Sequence, residues 1–87
     1  MSNQAVKIPT NFNLKGGMIR LGIDRPTGQW FCHVFDERTS PVEAHEEIDR
    51  ETLMNLIRQY GDMEHIYTKN VFRAVSLDLD PSTLPAG

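Results

Sequence analysis

Apolar and polar residues alternate along two neighbouring stretches of the chain, residues 18–23 and 30–35. Alternation with a period of two is typical of a β-strand that buries one of its faces. The residues between the two stretches include Pro26 and Gly28, which suit a type I turn followed by a left-handed residue. The pattern therefore predicts a β-hairpin closed by a three-residue loop.

The length of this loop decides which side chains share a face of the hairpin. A three-residue loop gives a core face that holds Ile19, Leu21, Ile23, Phe31, His33 and Phe35. The outer face then carries Arg20, Gly22, Asp24, Trp30, Cys32 and Val34. Because this outer face is only half polar, we expect Trp30 to be partly exposed in the isolated chain and the patch of Trp30, Cys32 and Val34 to need a cover. The N-terminal residues, a second copy of the chain or another protein are the alternatives for its cover.

A helical pattern follows the hairpin. Apolar residues recur at helical spacing, at Leu53, Leu56, Ile57 and Tyr60. Asp49 is a typical N-cap, and Gly61 stands where a left-handed C-terminal residue is common. The sequence therefore predicts a helix over roughly 50–60, packed on the core face of the hairpin. Residues 71–79 end in strict alternation before Pro81, which predicts a further strand.

The segment 41–47 is ambiguous. Its capping-box spacing slightly favours a short helix, whereas the alternation of its apolar residues would allow a third strand. Residues 1–17 are polar and predict a partly flexible N-terminal arm, which either packs on its own sheet or reaches a partner. Residues 81–87 predict a flexible tail. The sequence thus predicts one α+β domain over 18–80, with a small antiparallel sheet in the order ββαβ.

Length and composition indicate the cellular compartment and the stability to expect of this protein. A chain of 87 residues forms one domain near the lower end of what folds on its own core. The single cysteine, Cys32, excludes an intramolecular disulfide and favours a reducing compartment. The N-terminus lacks the pattern of a signal peptide, and no apolar run is long enough to span a membrane. We therefore expect a soluble cytoplasmic protein with no membrane contact.

The net charge of −3 is unevenly distributed. Residues 1–30 carry four basic residues and one acidic residue, whereas residues 31–65 carry nine acidic residues and three basic ones. This segregation reflects either an ordinary charged surface or an acidic side that meets a basic partner.

The residues that could carry chemistry do not converge in the predicted fold. Cys32 and His33 are neighbours on a strand and therefore point to opposite faces, which excludes a Cys–His dyad. His45 and Asp49 would share a helix face only if the helix did not begin at Asp49. Glu43 and the glutamates near it have no predicted apolar pocket that would raise a carboxyl pKa. The sequence therefore predicts no catalytic residue, no metal site and no cofactor.

The outer face of the predicted hairpin is the best candidate for function. An aromatic residue beside arginines is typical of interface anchors. We therefore predict a non-enzymatic interaction module, regulatory or inhibitory, that binds another protein. A homodimer is also expected, because a core this small gains by sharing apolar surface. The alternative is a nucleic-acid-binding protein that uses the basic outer face, although the net negative charge argues against it. The predicted binding residues are Trp30, Arg20, Arg25, Asp24 and Val34.

Overall fold

The strands of the sheet come first along the chain, and the helices follow them. The computed structural model describes residues 5–24 and 26–84. Four strands form an antiparallel sheet in the order β1-β2-β3-β4. They are β1 (Ala5–Pro9), β2 (Met18–Asp24), β3 (Gln29–Phe35) and β4 (Pro41–Ile48). Two helices follow, α1 (Arg50–Tyr60) and α2 (Ile66–Ser76). The α+β class with a small antiparallel sheet is confirmed, but the described order is ββββαα rather than ββαβ.

The described part of the predicted N-terminal arm belongs to the sheet. Strand β1 pairs with β2 from Ala5 opposite Gly22 to Pro9 opposite Met18. Pro9 ends an edge strand, where a missing backbone N–H interrupts no central ladder. Residues 1–4 lie outside the described residues. Of the two alternatives for the arm, its described residues pack on their own sheet.

The hairpin exists, but its predicted register is wrong. Asp24 pairs with Gln29, so four residues rather than three separate the strands. The amide of Gly28, at φ 71°, donates to the Asp24 carbonyl oxygen at 2.7 Å. One additional loop residue turns every side chain of β3 to the opposite face. Ile23 therefore faces Trp30 instead of Phe31.

This register reverses the predicted roles of the β3 side chains. Trp30 is only 4% exposed and Val34 is fully buried, so the expectation that they lie on an outer face is wrong. The predicted register would have buried the imidazole of His33, which costs free energy unless every polar atom is paired. In the observed register His33 points away from the helices, and its Nε2 reaches the carboxylate of Glu46. Both faces of β3 are rich in apolar residues, so hydrophobicity alone did not distinguish them.

Residues 41–48 form the edge strand β4, not a short helix. Cys32 of β3 lies opposite His45, and His33 lies opposite Ala44. The strand begins at a proline and carries three glutamates, a composition that discourages pairing with further strands. The ladder shifts register near the end of β4, where Glu47 adopts φ 53°.

Helix α1 has the predicted bounds. The Asp49 side chain accepts a hydrogen bond from the Thr52 amide at 2.8 Å, as expected of an N-cap. Gly61, however, is not left-handed, since its φ is −81°. A glycine is needed there for space, because a Cβ atom at Gly61 would lie 2.6 Å from the carbonyl oxygen of Ile57.

The strand predicted over residues 71–79 is wrong, because residues 66–76 form helix α2. Its buried residues are three or four positions apart: Thr68, Val71, Ala74 and Val75. Packing of this stripe against the sheet and α1 stabilises the helix over the short alternation at its end. The packed unit also continues past residue 80, since Pro81 in a short 3₁₀ turn is buried.

The core lies between the sheet and the two helices. Helix α1 packs against β3, and α2 packs against β1. The cluster of buried residues consists of Val6, Ile8, Ile19, Leu21, Trp30, Cys32, Val34, Leu53, Leu56, Ile57, Val71 and Val75. Among the residues that the structure describes, neither helix nor any other helical segment is long and apolar enough to cross a membrane.

Candidate protein-binding surfaces

An open apolar groove lies at the C-terminal end of α2. It has a volume of about 200 Å³. Four apolar residues and two polar ones line it: Ala74, Leu77, Leu79, Leu84, Asn70 and Arg73. Leu77 is 58% exposed and Leu79 is 54% exposed. We call this site the leucine groove.

A Schellman motif positions the leucines. The Leu79 amide donates to the Ala74 carbonyl oxygen at 2.8 Å, and the Asp78 amide donates to that of Val75 at 3.0 Å. Asp78 takes the left-handed position of the motif, at φ 60°, where glycine is more common. These bonds reverse the chain directly after α2. Leu79 is consequently held beside Ala74, the contact that usually accompanies this motif.

The chemistry of the leucine groove suits an apolar side chain next to a negative charge. Single exposed leucines are common on protein surfaces, whereas contiguous apolar patches mark interaction sites. Lys69 and Arg73 are both exposed and lie one helical turn apart on α2. A partner that places an aliphatic or aromatic side chain in the groove would thus meet two cations beside it.

The face of the sheet that turns away from the helices forms a second surface. We call it the outer sheet face, and its side chains include Lys7, Arg20, Asp24, Phe31, His33, Phe35 and Glu46. The Arg20 guanidinium lies 5.3 Å from the ring centroid of Phe31. The His33 ring lies 5.5 Å from that of Phe31 and 6.4 Å from that of Phe35. Phe31 is only 5% exposed, so its polar neighbours cover it.

Charge on the outer sheet face changes sign across the strands. Lys7 on β1 lies opposite Arg20 on β2, and Arg20 lies opposite His33 on β3. On the far side of His33, the carboxylate of Glu46 on β4 accepts its Nε2 hydrogen bond. Along this row the face is therefore basic toward β1 and acidic toward β4, whereas Asp24 lies at the loop end of β2.

A hydrogen-bonded cluster joins β4 to the end of α1. The Tyr60 hydroxyl donates to one carboxylate oxygen of Glu43, and His45 Nε2 lies 2.6 Å from the other. The hydrogen bond from Tyr60, and then that from His45, lower the pKa of Glu43. The same bond to Glu43, followed by burial, raises the pKa of Tyr60. The cluster fastens an edge strand to a helix, and both glutamate oxygens are engaged in doing so.

The two pKa shifts make stability depend on pH in opposite directions. The carboxyl of Glu43 has a lower pKa in the folded state than in the unfolded state, so its contribution is present above the unfolded pKa. That contribution is lost as the pH falls through the folded pKa. Tyr60 has a higher pKa in the folded state, so its contribution is present below the unfolded pKa. It is lost as the pH rises through the folded pKa.

The Cys32 thiol is buried in the core between the sheet and the helices. Burial, and to a smaller extent the charge of Glu43, raise its pKa to about 12. Thiolate is the reactive form of cysteine, so the raised pKa suppresses reaction. Cys32 and His33 point to opposite faces of β3, as predicted. Within residues 5–24 and 26–84, no group of three or more histidine, cysteine, aspartate or glutamate residues could hold a metal ion.

The structure separates the predicted binding residues. Arg20 and Asp24 lie on the outer sheet face, Trp30 and Val34 lie in the core, and Arg25 lies outside the described residues. Their role in binding stays a prediction. Sequence reasoning missed the aromatic residues of the outer sheet face and the exposed leucines of the groove. The alternation at Leu77 and Leu79 was a real signal of amphipathic surface, although it was assigned to a strand.

No protein-family model, curated protein or solved structure matches this chain, so the two surfaces are interpreted from their geometry and chemistry.

Proposed function

We propose that the chain is a small non-enzymatic interaction module, regulatory or inhibitory, that binds another protein through the leucine groove. The observation that carries this proposal is the pair of leucines, each more than half exposed, beside an apolar groove. The Schellman motif supports it further, because a site held by backbone hydrogen bonds loses little conformational freedom on binding.

The size of the groove indicates how far the contact must extend. Complete burial of a leucine side chain contributes about 1.5–3 kcal/mol, so covering two half-exposed leucines contributes roughly 2–3 kcal/mol. A micromolar complex requires about 8 kcal/mol. The partner must therefore also contact the exposed side of α2, where Arg73 and Lys69 favour acidic residues. An apolar segment flanked by carboxylates fits these requirements.

The leucine pair provides a direct test. Immobilised wild-type chain and the double variant Leu77→Gln/Leu79→Gln are incubated with native lysate, and the bound proteins are quantified by mass spectrometry. The expected result is one or more proteins that the wild type retains and the double variant loses. Phe12→Gln is the matched control, since Phe12 is 85% exposed but lies in the short turn between β1 and β2, outside α2. Equal recovery by all three folded proteins would contradict the proposal.

The proposal assigns no catalytic role to the chain. It is supported by the inward-facing thiol of Cys32 and by the engagement of Glu43 with Tyr60 and His45, since neither group is poised to attack or protonate a substrate. We also propose a cytoplasmic location, supported by the free, buried thiol, which suits a reducing compartment.

Self-association is part of the same proposal. A domain of 87 residues buries a smaller share of its surface than a larger one and commonly gains stability as a homodimer. The outer sheet face is not covered by the helices, which makes it available to a second copy.

Nucleic-acid binding is a second candidate, favoured by one observation. The guanidinium of Arg20 lies over the ring of Phe31 with Lys7 adjacent, and basic residues beside aromatic rings can bind a single strand. Electrophoretic mobility shifts at low salt test this candidate on DNA and RNA. Binding that weakens steeply with salt, and further with Arg20→Gln but not with Lys69→Gln, would support it. No shift with any probe would refute it.

A further inference from the structure

We infer that two copies of this chain pack outer sheet face against outer sheet face, about a two-fold axis roughly parallel to the strands. This inference rests on the self-association proposed above and specifies its surface and its geometry. The leucine groove lies at the end of α2 and is left open in such a dimer.

The charge gradient across the strands selects the direction of the axis. A two-fold axis parallel to the strands places β1 of one copy over β4 of the other, so the basic side meets the acidic side twice. An axis in the same plane but perpendicular to the strands places β1 over β1. Lys7 and Arg20 would then face their own symmetry mates, and like charges in direct opposition repel.

One specific pair follows from the first arrangement. Lys7 is exposed on β1, and the Glu46 side chain is 63% exposed on β4. Face-to-face sheets pack about 10 Å apart, a gap that a lysine and a glutamate side chain can span together. The axis parallel to the strands brings Lys7 of each copy near Glu46 of the other. Each dimer consequently contains this ion pair twice.

The balance of charge favours a second copy over nucleic acid as the occupant. Lys7 and Arg20 on the outer sheet face are offset by Asp24 and Glu46 on the same face. A phosphate backbone needs a net positive surface, whereas a face with Lys7 on one edge strand and Glu46 on the other is complementary to a copy related by this axis.

The area of the face predicts a weak dimer. Four strands about 4.8 Å apart and about six residues long give a footprint of roughly 400 Å² per copy. The total of roughly 800 Å² lies below the 1,200–2,000 Å² typical of stable complexes. We therefore expect a dissociation constant on the order of 100 μM.

A charge-exchange experiment tests the pair. Sedimentation velocity up to about 1 mM is performed on the wild type, on Lys7→Glu, on Glu46→Lys and on an equimolar mixture of the two variants. The wild type should approach twice the chain mass of 9.9 kDa at the highest concentrations. Each variant alone should associate about tenfold more weakly, because both ion pairs become repulsive. The mixture should recover association close to wild type, since each heterodimer regains both pairs.

Matched controls separate the failure of this inference from that of the proposed function. Lys15→Glu and Glu64→Lys make the same charge changes at exposed positions outside the outer sheet face, and they should leave association unchanged. A wild type that stays monomeric would overturn both the inference and the proposed homodimer. A dimer that persists in every variant, or a mixture that does not recover association, would refute the outer sheet face as the dimer interface but would leave the proposed homodimer intact. None of these outcomes alters the lysate test of the leucine groove.

Discussion

Truncation of Trp30 gives the sharpest test of the observed register. Trp30 is 4% exposed and belongs to the core cluster, so Trp30→Ala removes an indole ring from between the sheet and the helices. An aromatic side chain buries about 150–250 Å², which at about 25 cal/mol per Å² corresponds to roughly 4–6 kcal/mol. Measured core truncations of this kind cost about 3–5 kcal/mol. A domain of 87 residues has a stability of roughly 4–13 kcal/mol, so the loss is a large fraction of it.

Urea denaturation followed by far-ultraviolet circular dichroism measures this loss without relying on tryptophan fluorescence. Phe12→Ala is the matched control, because Phe12 is an aromatic residue that is 85% exposed. Its free energy of unfolding should stay within about 0.5 kcal/mol of wild type. Trp30→Phe keeps an aromatic ring in the core and should lose less than Trp30→Ala, so it remains informative if the alanine variant does not fold.

The wild-type chain supplies an independent readout, because Trp30 is its single tryptophan. Its fluorescence should be blue-shifted and poorly quenched by iodide in the native state, and both properties should disappear in urea. An unfolding free energy for Trp30→Ala equal to that of the Phe12 control, together with native fluorescence as accessible as in urea, would refute the observed register. That result would restore the three-residue loop and place the ring on the outer surface.

Three further predictions concern the cluster, the end of α1 and the thiol. Tyr60→Phe removes the hydrogen bond to Glu43, so the variant should lose less stability than the wild type as the pH falls toward the folded pKa of Glu43. It should also lose less as the pH rises toward the folded pKa that Tyr60 has in the wild type. Urea midpoints that follow the wild-type pH profile would contradict this. Gly61→Ala should cost about 1–3 kcal/mol in chemical denaturation, because the new Cβ would overlap the Ile57 carbonyl oxygen; a neutral effect would show that the backbone has room. The Cys32 thiol, with a pKa raised to about 12 by burial, should react with iodoacetamide at neutral pH only when urea unfolds the chain, and rapid native labelling would be the contrary result.

Local signals in the sequence were sufficient for helix α1 and for the existence of the hairpin. The Asp49 cap bonds directly to the Thr52 amide, and the apolar spacing of Leu53, Leu56 and Ile57 produces the buried stripe of α1. Such signals act over a few residues and depend little on the rest of the fold. The α+β class followed from the same short-range patterns.

The candidate surfaces could be predicted only in part. Arg20 was correctly placed on an outer face, because its position on β2 does not depend on the loop length. Phe31 was misplaced with the rest of β3. The leucine groove could not be foreseen, since it forms where the end of α2 meets the segment that carries Leu84, and no local pattern encodes that contact.

What the sequence by itself determined was the presence of alternating and helical segments; the tertiary structure decided their register and partners. Both faces of β3 carry bulky apolar residues, so one loop residue was enough to exchange Trp30 and Phe31 between the core and the outer face. Burial of His33 in the core would have been unfavourable. Its contact with Glu46 favours the outer face, but Glu46 is on β4, a strand that the alternation within β3 cannot reveal. Residues 71–79 likewise had a local strand pattern, yet Val71 and Val75 gain more by packing as one helical stripe against the sheet. Register and helix choice at these positions depend on side chains distant in sequence, and only the folded chain brings those side chains together.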